Sequence, residues 1–115
     1  MRTKDIIDVL KTGSWSWGTR VYDTDPATVH IPMLVVYPIS RMPKIAAYGR
    51  TLGTDALNDA LFQIDLYERE ENSQDELNVY KALNALHGVV EVQGVVYQHE
   101  SYGVRCIFTI HCLGA

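Results

Sequence analysis

With 115 residues, 47% of them hydrophobic and 21% charged, the chain has the make-up of one globular domain that buries a modest core without metal or disulfide staples. A net charge of −4 argues against a general nucleic-acid surface, since phosphate binding needs clustered Lys and Arg. No run approaches the roughly 20 apolar residues of a membrane helix, and Asp5 and Asp8 interrupt any leader-like core, so a cytoplasmic setting without a membrane is expected.

In chain order, Thr3 to Lys11 is expected to form a short helix. Thr3 caps it, Asp5 suits its positive end, Ile6, Val9 and Leu10 give a narrow apolar stripe, and Gly13 ends it. Trp15 and Trp17 then stand beside glycines as either a core plug or an interface anchor. Thr19 to Tyr22 reads as a strand and Asp23 to Pro26 as a turn. Ile31 to Tyr37 is apolar on both sides, which predicts a strand inside the sheet with Pro32 at its start.

Pro38 to Asp55 is irregular. It holds two prolines, two glycines, the basic residues Arg41, Lys44 and Arg50, and the apolar side chains Met42, Ile45 and Tyr48. A connection of this length is uncommon in a compact domain. It is expected either as an arm that orders against another molecule or as a hairpin or loop folded on its own domain.

From Phe62 the pattern sharpens. Phe62, Ile64 and Leu66 alternate with Gln63, Asp65 and Tyr67, as in a strand with one buried face. Ser73 and Glu76 are spaced for a capping box at the start of a helix carrying Val79, Tyr80, Leu83 and Leu86, with Gly88 as its stop. Val90 to Val96 and Val104 to Leu113 read as two strands, the first broken by a bulge at Gly94, joined by a turn over His99 to Gly103. The whole predicts one α+β domain spanning the chain. Its mixed or antiparallel sheet has four to five strands, a short N-terminal helix and one main helix pack on one face, and a long loop or hairpin arm projects.

Charge is unevenly spread. From Asp55 to Glu76 there are eight acidic side chains and one basic one, whereas the segment preceding Asp55 carries Arg41, Lys44 and Arg50 and no acid. The two stretches are either separate solvated faces or a self-complementary pair, one copy's basic arm meeting its neighbour's acidic edge. The candidate contact residues are Arg41, Met42, Lys44, Ile45, Tyr48 and Arg50 on the arm, and Asp65, Glu68, Glu70 and Glu71 on the strand–helix edge.

Chemical motifs are scarce. His30, His87, His99 and His111 have no zinc-ligand spacing, and a final hairpin is the one arrangement that would bring His99 and His111 together. Asp23-x-Asp25 lacks the rest of a calcium loop, and Gly49 to Gly53 lacks the Lys and Ser/Thr of a phosphate loop. No serine sits in a nucleophile elbow. Cys106 and Cys112, six residues apart on one strand, are too distant to bridge and read as small buried hydrophobes. The residues therefore give no catalytic site, no cofactor and no metal, and an enzyme is not expected.

The order of short helix, Arg20-Val21-Tyr22-Asp23-Thr24, proline turn, Ile31-Pro32-Met33-Leu34-Val35-Val36, variable loop, Gln63-Ile64-Asp65-Leu66-Tyr67, capped helix and closing strand pair resembles the tail-completion or tail-terminator proteins of long-tailed bacteriophages. The likeness covers most of the chain, with Met33 in place of the aromatic that often follows the proline. It implies a structural virion protein, assembled in the host cytoplasm into a homo-oligomeric, hexameric ring at the head-proximal end of the tail. Its implied partners are further copies of itself, the tail tube protein and a head–tail connector protein, and genomic DNA passes through the hole without specific binding. Two alternatives share the element order: a neck or head-completion protein, and a small ferredoxin-like ligand-binding module, which would show a concave apolar pocket.

Overall fold

The alternating strands and capped helices assemble into seven elements in the computed structural model, which describes residues 2–43, 58–86 and 89–113. They are α1 (Thr3–Lys11), β1 (Val21–Tyr22), β2 (Met33–Pro43), β3 (Asn58–Glu68), α2 (Gln74–Leu83), β4 (Val89–Glu100) and β5 (Gly103–Leu113). The strands form one mixed sheet in the order β1-β2-β3-β5-β4, with β1 parallel to β2 and every other neighbouring pair antiparallel. The fold is the α+β arrangement expected, with a short N-terminal helix and one main helix.

Topology places α2. Strands β3 and β4 both run antiparallel to β5, so they are parallel to each other, and a crossover must carry the chain from one to the other. That crossover is α2, which lies over β5: Tyr80 meets the Phe108 ring edge-on at 5.5 Å. The core forms between this face and the helices. Leu34, Val36, Phe62, Ile64, Leu66, Phe108 and Ile110 supply the sheet side, and Ile6, Leu10, Val79 and Leu83 the helix side.

The tryptophan pair is a core plug. Trp17 is wholly buried and its indole donates to the Leu10 carbonyl at 2.8 Å, while Trp15 stacks on it at 5.6 Å and donates to the Thr12 carbonyl at 2.8 Å. Both acceptors lie at the end of α1, where carbonyls lack helical partners. One pair of rings thus fills the core and closes the helix.

Several boundaries move from their expected places. The N-cap of α1 is Arg2, whose amide donates to the Asp5 carboxylate at 2.7 Å. Strand β2 runs on through Pro43, so Pro38–Pro43 is strand rather than loop, paired with β3 as far as Pro43 opposite Asn58. Past the two residues of β1, β2 is an edge strand, the place where a sheet tolerates proline. The capping box at α2 is displaced by one residue: Ser73 Oγ accepts from the Asp75 amide at 3.2 Å, and Glu76 Oε2 accepts from the Asn72 amide at 2.5 Å. Asn72, at φ 58°, turns its amide into reach. Helix α2 ends at Leu83 with Asn84 as its cap, and Gly88 lies outside the described residues.

The bulge at Gly94 falls where the valine pattern breaks, between Val92 and Gly94. The β4–β5 turn is tighter than expected, with Glu100 paired to Gly103. Glycine is required there: φ is +147°, and a Cβ would stand 2.4 Å from the Glu68 carbonyl oxygen.

Candidate functional site

The face of the sheet away from the helices is closed only in part. Over β2 and β3, Met33, Val35 and Tyr67 are buried, with Tyr22, Ile31, Tyr37 and Tyr102 packed against them. Beneath these rings lies Asp65, wholly buried although it belongs to the polar alternation of β3. Register explains how it is tolerated. Tyr67 stands opposite Arg105, which puts Arg105 diagonal to Asp65 on the same face. The guanidinium donates to Asp65 Oδ2 through Nε at 2.8 Å and also through its terminal nitrogen, and Gln63 donates to Oδ1 at 2.9 Å. Arg105 also sits over the Tyr67 ring, 5.9 Å from its centre. Burial, then the hydrogen bond to Asp25, raises the Tyr37 phenol, and burial raises those of Tyr67 and Tyr102, so all three rings stay neutral at physiological pH. Toward β4 the cover thins, and Val96 is 61% exposed beside the half-buried Ile107.

A second cluster lies on the helix-covered face at the start of α2. Glu68 continues the inward series Phe62, Ile64, Leu66 and is wholly buried. Its Oε2 accepts from the Ser73 hydroxyl at 2.8 Å. Glu76 reaches down from α2, and its Oε1 accepts from the Tyr97 hydroxyl at 2.7 Å. Cys106 of β5 completes the group, its donor atom and those of the two acids all within 4.8 Å of one another. Burial, followed by the neighbouring Glu76 carboxyl, pushes Glu68 up to about 8. Burial and the same two acids raise the Cys106 thiol, which makes it a poor nucleophile. Chemically, the cluster can hold a proton or a cation between acids.

The expected contact residues are divided by the structure. Asp65 and Glu68 are corrected: both are buried inside the subunit, Asp65 by its pair with Arg105 and Glu68 by the inward alternation of β3, so neither forms part of an outer acidic edge. Glu70 and Glu71 are exposed in the turn between β3 and α2. Arg41 and Met42 lie on β2 opposite Ala60 and Asp59. Lys44, Ile45, Tyr48 and Arg50 lie outside the described residues. His99 and His111 do not meet, because they pair with Val104 and Glu91 at opposite ends of the β4–β5 hairpin.

Arg105, Glu76, Tyr97 and Cys106 were not singled out as site residues from the sequence. For Glu68 the signal was present, since the period of two that sets Phe62, Ile64 and Leu66 inward continues to it. For the others it was not, because they converge only through the crossover of α2 over β5. No protein family model matches the chain, and no curated protein matches it in sequence.

Proposed function

We propose that this chain is an architectural subunit that works by surface contact, forming the homo-oligomeric, hexameric ring that terminates the tail tube of a long-tailed bacteriophage and joins it to the head. The element order carrying the resemblance is kept: the Val21-Tyr22-Asp23 segment is β1 and its turn, the Met33–Val36 run opens β2, and the Gln63–Tyr67 run lies in β3 before the Ser73-capped helix.

The supporting observation is that Arg41 on β2 and the Glu70–Glu71 turn stand at opposite ends of β3. Arg41 pairs with Ala60 near the start of β3. Glu70 and Glu71 follow Glu68 at the other end. The eleven residues of β3 span about 35 Å. The basic stretch around Arg41, Lys44 and Arg50 and the acidic Glu70–Glu71 turn are opposite in charge, so one copy's basic stretch is complementary to another copy's acidic turn. Two unlike patches at opposite ends make a head-to-tail contact, which closes into a ring when the rotation allows.

Light scattering and electron microscopy of the purified protein test this reading. The expected result is a ring with a central hole, broken to monomers by K44E/R50E or by E70K/E71K and restored when the two reversed proteins are mixed. A monomer at micromolar concentration, or a ring indifferent to deletion of residues 41–50, overturns it.

A further inference from the structure

The geometry points to a binding site for one divalent metal ion, zinc by its donor set, held by Glu68, Glu76 and Cys106 beneath the first turn of α2. The three ligands come from β3, α2 and β5, and each is buried: Glu68 and Cys106 completely, Glu76 to 7% exposure. Their donor atoms lie within 4.8 Å of one another, a spacing that small side-chain rotations bring to the roughly 3.5 Å edge of a zinc tetrahedron.

The independent observation is Glu68 Oε1. It is buried and receives no hydrogen bond, although the other oxygen of the same carboxylate takes the Ser73 hydroxyl. A bare carboxylate oxygen in an apolar interior is costly unless something positive meets it. Among the described residues, the groups facing it from α2 and its cap, β4 and β5 are Ser73, Asp75, Glu76, Tyr97 and Cys106, and none of them is a cation. Glu76 is already oriented, its two oxygens held by the Tyr97 hydroxyl and the Asn72 amide, each with a lone pair left for a metal.

One thiol with two carboxylates suits zinc, because magnesium and calcium take oxygen ligands only. Three protein ligands leave a fourth position for water, and a cleft of about 340 Å³ lined by Asn72, Ser73, Glu76 and Tyr97 opens beside the Glu76 ligand. Bound there, the metal clamps the start of α2 to the sheet.

The test uses the full chain stripped with EDTA and then titrated with Co²⁺ and Zn²⁺. One equivalent of Co²⁺ is expected to produce a near-ultraviolet thiolate-to-cobalt band that Zn²⁺ abolishes. C112A keeps the band and C106A loses it, Zn²⁺ raises Tm in the first and leaves the second unchanged, and E68Q weakens Zn²⁺ binding at least tenfold. A wild-type protein with no band and no Tm response, as when the two acids share only a proton, overturns the site. So does a band that survives in C106A. The wild-type titration decides the matter alone should either variant fail to fold, and it is independent of ring assembly.

Discussion

The two faces of the sheet are built on different physics. Against the helices, stability comes from volume: Trp17, Phe62, Phe108 and the aliphatic residues around them leave water nothing to wet. On the other face a carboxylate is buried on purpose, matched by one guanidinium and roofed by tyrosines. Apolar packing tolerates many rearrangements of similar volume. A buried ion pair tolerates only the partner that satisfies it, so it contributes register and specificity more than stability. The contrast teaches where each face is vulnerable: one to holes, the other to an unmatched charge.

The largest effect is expected from a hole. Phe108→Ala, beneath Tyr80 and with no exposure, should cost about 4 kcal/mol in urea unfolding. Arg105→Ala comes next, at about 3 kcal/mol, because it strands the Asp65 carboxylate in the interior. The two faces separate in the rescue: adding Asp65→Asn to Arg105→Ala should recover stability, and failure to recover would show that Arg105 acts by packing alone.

A smaller effect concerns pH. Glu68 binds its proton more tightly folded than unfolded, since its ordinary value of 4.5 is raised to about 8. Its contribution is therefore complete below pH 4.5 and lost as pH rises through about 8. The groups facing it are Ser73, Asp75 and Glu76 of α2 and its cap, Tyr97 of β4 and Cys106 of β5. In EDTA, unfolding free energy should fall across that window, and Glu68→Gln should flatten the slope. The smallest effect on stability is expected at Val96, where Val96→Asp should change unfolding by less than about 0.5 kcal/mol. If the open end of this face meets another copy, the same variant lowers the mass seen by light scattering.

Much of the fold was legible because strand periodicity is local. The alternation from Phe62 to Tyr67, the break at Gly94 and the Ser73 helix start each depend on residues within a turn or two. What escaped was set by partners far away in sequence. Asp65 reads as a surface acid until Arg105, forty residues later, is brought beside it. Strand β2 reads as ending at Tyr37 because the sequence does not reveal that β1 covers only Leu34 and Val35, leaving an edge beyond them. The candidate site is the least local feature. Two of its ligands lie on strands separated by thirty-eight residues, and the third hangs from the helix between.

The crossover has a bearing on how the molecule comes together. Since β5 lies between β3 and β4, β4 is not joined to the β1–β2–β3 part of the sheet until the C-terminal segment has threaded into place. Zippering from a hairpin nucleus at β4–β5 must therefore be followed by capture of β3 across a long chain separation, an entropically expensive closure that slows the final step. A chain truncated before Gly103 would keep the β1–β2–β3 ladder yet leave β4 with no strand to pair against.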